Sequence, residues 1–199
     1  MRRLNDVWVR KDRTSLRKRL GLYKQLVKPL LTYNCGTWGL SKVDEQKLYT
    51  FHRRQLRRIL GISWPHRISN KRLYEMTDDT PVSLFVTQQR WRLFGHILRS
   101  HPESPANEAM KYFFEPVTMI ERDGTRSFTQ AHKRVPRISL VGTIDRDLKR
   151  AAMQHPNNVI RRFQNAADLQ FYTAYAADRS NWRNLTELII EAAEDDVPQ

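Results

Sequence analysis

Along most of the chain, apolar residues recur every three or four positions, the period of a helix with one buried face. Leu16, Leu20, Tyr23, Val27, Leu30 and Leu31 form the first such stripe, with Thr14 or Ser15 as its cap. Pro29 lies inside that stripe. A proline there removes a helical N–H and crowds the preceding turn, so the helix is expected to kink or end nearby. Tyr33 to Leu40, with Gly36 and Gly39, reads as a turn between helices. Ser41-Lys42-Val43-Asp44 then reads as a capping box. The helix it opens sets Leu48, Phe51 or His52, Leu56, Ile59 and Leu60 on a buried face, with Gly61 as terminator.

Ser69 caps a short helix through Met76, and Thr80-Pro81 begins a longer one carrying Leu84, Phe85, Trp91, Phe94 and Leu98 and ending at Arg99. His101-Pro102-Glu103-Ser104-Pro105 is a break, and Ala106 to Phe114 a further short helix. Val117 to Arg137 is of mixed polarity, and Asp123-Gly124 supplies a hairpin turn for two short strands. Helices are expected from Ser139 to Met153, from Asn158 to Ala177 and from Asn181 to Ala193, with Pro156 as a breaker and an acidic tail at Glu194-Asp195-Asp196. The expected fold is mainly α. It has a helical bundle over residues 1–100 and a smaller helical lobe over 101–199 that carries the short β-hairpin.

Charge changes this picture most. The 199 residues carry a formal net charge of +14 with a pI near 10.3, a balance that in a folded domain points to a polyanion as partner. The excess is confined to one half: residues 1–100 hold 22 Lys and Arg against 7 Asp and Glu, and residues 101–199 hold 13 against 14. The sign changes at the His101–Pro105 break, which is therefore the expected domain boundary. Only 7 glycines are present, which argues against Gly-rich phosphate loops. The single cysteine, Cys35, excludes a disulfide within the chain and fits a reducing compartment. No apolar run reaches the length of a membrane span, and Met1 to Asp6 lacks the apolar core of a secretory signal. Asp6 and Asp12 argue against a mitochondrial address. Nucleus or cytoplasm is the expected location, with no membrane partner.

Catalytic chemistry is poorly represented. The six histidines are scattered, with no i, i+4 pair of the kind a zinc-binding helix uses. Cys35 has no histidine or acid at motif spacing and reads as a small buried hydrophobe. Polymerases hold two Mg²⁺ ions on adjacent carboxylates, so Asp78-Asp79 and Asp195-Asp196 invite that reading. Neither pair is flanked by β-branched strand residues, and both read instead as helix-capping or solvated acids. No cofactor, no metal and no unaided phosphoryl transfer are expected.

The strongest local chemistry is cationic. Arg53, Arg54, Arg57 and Arg58 recur at i, i+1, i+4 and i+5 and fall on adjacent turns of one helix, with His52 beside them. The planar guanidinium fork matches phosphate oxygens two at a time, so such a cluster can grip successive phosphates. Lys18, Arg19, Arg67, Lys71, Arg72, Arg90, Arg92 and Arg99 extend the track. The bland alternative is a solvated helix face. His96 follows Gly95 and is either a buried hydrogen-bonded residue or a phosphate contact, while a glycine within a helix points to close packing. Trp38, Trp91 and Trp182 read as core anchors rather than base-stacking platforms.

Several collinear runs resemble the C-terminal part of reverse transcriptases of non-long-terminal-repeat retrotransposons. Leu30-Leu31-Thr32-Tyr33-Asn34-Cys35-Gly36-Thr37-Trp38 is similar to the segment that follows their palm, and Leu48 to Trp64 resembles their thumb helix. Arg90-Trp91-Arg92-Leu93-Phe94-Gly95-His96-Ile97-Leu98-Arg99 resembles a further family segment, as do Arg134-Val135-Pro136-Arg137 with Ile144 to Leu148, and Asp178 to Arg183. The family's fingers and palm, which carry its Asp-Asp motif, have no counterpart here, and Val135 and Leu140 depart from its pattern. The resemblance implies a thumb and post-thumb region that holds RNA or RNA–DNA backbone, next to a polymerase palm, without polymerising by itself. The implied contacts are Arg53, Arg54, Arg57, Arg58, His52, Arg92, His96 and Arg99. A protein-interaction module or repurposed retroelement remnant that docks an acidic partner is the alternative expectation. The phosphate-binding expectation requires arginines at an exposed surface, neither tucked inside nor tied up by the chain's own carboxylates.

Overall fold

The computed structural model describes residues 14–194 apart from 115, 121–125, 131–138, 157 and 159, and describes no side chains over 113–138. The Asp123-Gly124 turn, Arg134-Val135-Pro136-Arg137, Asp195-Asp196 and the first thirteen residues lie outside the described set.

The fold is mainly helical. Ser15 caps α1 (Leu16–Leu22), its hydroxyl accepting from Lys18 N–H. The chain then widens into a π-helical turn, Tyr23–Val27, before α2 (Lys28–Leu31). Pro29 gives the physical reason: it cannot donate, and a wide turn immediately before it accommodates its ring without ending the helix. After a 3₁₀ turn (Cys35–Thr37), α3 runs over Lys42–Leu60. Ser41 Oγ accepts from Asp44 N–H at its start, and Gly61 closes it at φ 72°. α4 (Asn70–Thr77) starts on Ser69, whose hydroxyl accepts from Arg72 N–H, and α5 spans Val82–Arg99. α6 (Pro105–Phe114) precedes an antiparallel pair, β1 (Pro116–Ile120) and β2 (Arg126–Gln130), in which Thr118 faces Phe128. The hairpin expected around Asp123-Gly124 is therefore present as two paired strands. α7 (Leu140–Gln154), α8 (Ala166–Ala177) and α9 (Arg179–Glu194) complete the chain. The helix expected from Asn158 begins only at Ala166, because Asn165 and Asp168 form a full capping box there.

Two compact units emerge, and they do not divide at His101. One comprises the described residues up to Cys35 together with Leu40–Val86; the other comprises Gly36–Gly39 and Thr87 onward. The division thus falls inside α5. A change of charge and a pair of prolines marked residues 101–105 in the sequence, yet Trp91, Phe94, Ile97 and Leu98 upstream of that break belong to the second unit's core.

The C-terminal unit is not the smaller lobe in terms of its core: the larger apolar cluster lies there. Trp91, Phe94, Phe163, Tyr172 and Trp182 form its aromatic center, with ring centroids 5.2–5.9 Å apart for Phe94–Phe163, Trp91–Phe94, Trp91–Trp182 and Phe163–Tyr172. Such tilted and edge-on pairs suit the ring quadrupoles. Beside them the buried Asp147 carboxylate accepts from Arg90 Nη1 (2.8 Å) and Trp91 Nε1 (3.1 Å). The first unit is built on Tyr23, Val27, Leu56, Ile59 and Leu73. Leu16 and Leu30, expected on its buried stripe, are exposed instead. Trp91 and Trp182 are core residues as expected, whereas Trp38 is only half-buried.

Candidate nucleic-acid interface

The arginine-bearing helix α3 is amphipathic, but its buried face is wider than the leucine and isoleucine pattern implies. Tyr49, His52, Arg53, Gln55, Leu56 and Ile59 are all buried. His52 is completely enclosed, which corrects its expected role as a phosphate contact. Its Nδ1 shares a 2.7 Å hydrogen bond with Tyr23 OH, its ring stacks on Tyr74 at 6.0 Å, and its Nε2 lies 3.9 Å from Asp79 Oδ2. Burial pushes the imidazole's pKa down to about 4, against the pull of the Asp79 charge. His52 is therefore neutral at physiological pH and is a core residue. Burial also raises the Tyr23 and Tyr74 hydroxyls, the latter to about 12.

Arg53 is the second correction. It is only 8% exposed; its Nε donates to Tyr49 O and its guanidinium lies 5.4 Å from the Tyr49 ring centroid. Arg57 is half-buried, with Nη2 donating to Asn70 Oδ1 (2.7 Å) and to Ile68 O (3.4 Å). Both partners of Arg57 are neutral, so its charge is steadied rather than cancelled. Arg54 and Arg58 are exposed. All four arginines still come together, because they line one open groove of about 790 Å³ along the C-terminal part of α3. Gln46, Thr50, Gly61, Ile62, Ser63 and Asn70 complete its lining. A second trough of about 530 Å³ continues it toward the start of the helix, sharing Gln46, Thr50 and Arg54 and adding Lys42 and Lys47. The last carbonyls of α3 are closed off by Gly61 N–H and Ile62 N–H, both donating back into the final turn. Arg57 and Arg58 sit in that last turn, where the helix dipole favors cations.

Of the residues expected to extend the track, Lys18, Arg67, Lys71, Arg72, Arg92 and Arg99 are exposed. Arg19 is not available: it is buried, and its Nη1 donates to Ile59 O (2.6 Å), serving the end of α3. Arg90 is buried on Asp147. Arg92, His96 and Arg99 lie at i, i+4 and i+7 on the exposed side of α5, in the second unit. Exposure of His96 removes the alternative of a buried histidine. Arg99 Nη1 donates to Ala176 O (3.2 Å), and partial desolvation together with the nearby Arg179 charge lowers its pKa.

Asp78 and Asp79 have separate surroundings. Asp78 ends α4 in the left-handed conformation at φ 46° and is exposed. The Asp79 carboxylate is buried; it accepts from Thr80 N–H (2.8 Å) and from Lys28 Nζ. Asp79 is thus neither solvated nor presented to an ion. Among the described residues, no group of three or more His, Cys, Asp or Glu could hold a metal. No helix is long and apolar enough to cross a membrane among those residues.

One residue beside the groove carried no role in the sequence reading. Trp64 directly follows groove-lining Ser63 and is 79% exposed. Its position four residues beyond the last leucine of α3, past Gly61, was the available signal that it leaves the helix's buried face. No family model, curated protein or solved structure matches this chain.

Proposed function

We propose that this protein binds the backbone of RNA or of an RNA–DNA duplex through the arginine-lined groove of α3. It does so as a thumb-like part of a retroelement reverse transcriptase, without catalyzing polymerization by itself. The observation that carries the reading is the convergence of Arg53, Arg54, Arg57 and Arg58 on a single open groove in the half of the chain with the positive excess. Phosphate contacts need a dense cationic surface and neutral hydrogen-bonding groups, and Gln46, Thr50, Ser63 and Asn70 supply the latter. The buried arginines add to the local positive potential, and the exposed Arg54 and Arg58 make the direct contacts.

A filter-binding titration against salt tests this. Two phosphates neutralized by Arg54 and Arg58 give a log–log slope of about −1.5 to −2, and affinity falls roughly tenfold between about 50 and 200 mM salt. A flat response overturns the reading. Pull-down partners that persist after nuclease treatment, with no affinity for RNA, would instead identify an acidic protein as the ligand.

A further inference from the structure

We infer that Trp64 is a stacking platform for an unpaired base of a single-stranded nucleic acid whose phosphates lie in the adjacent arginine groove. The inference rests on the backbone-binding reading above and names the form of strand the site takes.

An indole is the largest apolar side chain, and folding normally removes it from water; Trp91 and Trp182 of this chain are 0% and 5% exposed. Trp64 is left 79% exposed, so the fold gains little by keeping it there. Its setting is a tight turn in which His66 N–H donates to Ser63 O (2.9 Å). Ser63, at one end of the turn, lines the groove that Arg54 and Arg58 border, and the exposed His66 and Arg67 follow at the other. Along the chain the aromatic thus stands between a residue of the arginine groove and two further exposed basic side chains. Aromatic rings set among backbone-binding cations are how proteins hold single strands without reading sequence, because every base offers a π face. In a duplex the bases are already stacked on one another and only the phosphates are presented. A single strand can give its phosphate to Arg54 or Arg58 and its base to the indole.

The test compares labeled oligouridylate with a blunt RNA–DNA duplex of equal length, by anisotropy, for the wild-type chain, W64A and W64F. W64A is expected to bind the single strand roughly 5- to 150-fold more weakly, W64F to recover most of the loss, and the duplex to be held equally by all three. Unchanged thermal midpoints establish that the variants fold. Binding of the single strand by W64A as tightly as by wild type overturns the inference, as does an equal loss for both probes. Duplex binding with the expected salt slope, together with single-strand binding that W64A leaves unchanged, refutes the stacking alone. A chain that binds neither probe refutes the backbone reading with it.

Discussion

Gly95 of α5 lies against the indole of Trp182 on α9, so closely that a Cβ built at Gly95 would sit 2.6 Å from Trp182 Cε2. The same indole donates through Nε1 to Trp91 O at 3.2 Å. A glycine in mid-helix costs about 0.5–1 kcal/mol relative to alanine, so helix propensity alone makes Gly95→Ala stabilizing. The contact reverses that sign. Gly95→Ala is expected to destabilize the protein by about 1–3 kcal/mol through overpacking, read as a lower urea midpoint. A raised midpoint would mean that the crossing is looser than described.

The buried Arg90–Asp147 pair gives a second test. Asp147→Ala strands a guanidinium in the core beside Trp91, and breaking a buried pair in this way costs about 3–5 kcal/mol. Replacing both residues together by apolar ones should cost much less. A double-mutant cycle by chemical denaturation measures the difference.

Acidification should loosen the first unit. The His52 pKa is pushed down to about 4 in the fold, from an ordinary value of 6.5. The unfolded chain therefore binds the proton first, and stability present above pH 6.5 is lost as pH falls from 6.5 toward 4. The full loss is about 3 kcal/mol for a shift of this size. Urea midpoints at neutral pH and near the lower limit should show it, and His52→Gln should flatten that part of the pH dependence.

The groove arginines should separate by burial. Charge reversal at Arg54 is expected to weaken nucleic-acid binding while changing stability by no more than about 0.5 kcal/mol, and reversal at Arg58 to weaken it likewise while costing about 1 kcal/mol in the last turn of the helix. Reversal at Arg57 breaks its bond to Asn70 and should cost about 1–3 kcal/mol as well. Equal thermal midpoints for all three variants would contradict the placement of Arg57.

Capping chemistry was legible at four helix starts: Ser15, Ser41, Ser69 and Ser139 each accept the expected backbone N–H, and Gly61 takes the left-handed turn. These signals are local and depend on a few neighboring residues. The misassigned residues depend on long-range partners. His52 is buried because Tyr23, Tyr74 and Asp79 surround it, and none of them is near it in sequence. Even so, the helical period already offered His52 as an alternative to Phe51 on the buried face, and since Tyr49, His52, Arg53 and Leu56 share that face, weighting spacing above polarity would have placed Arg53 inward as well. Arg19 and Arg90 were misread for the same reason: a positive charge count does not distinguish a guanidinium facing water from one bound to Ile59 O or Asp147.

The seam inside α5 bears on how this chain can be cut. A fragment ending at residue 100 would carry Trp91 and Phe94 away from Phe163, Tyr172 and Trp182, leaving half of an aromatic center facing solvent. Such a piece should clump on expression although it ends at a proline-rich break, so the place where the charge changes sign is not a place where this chain can be cut.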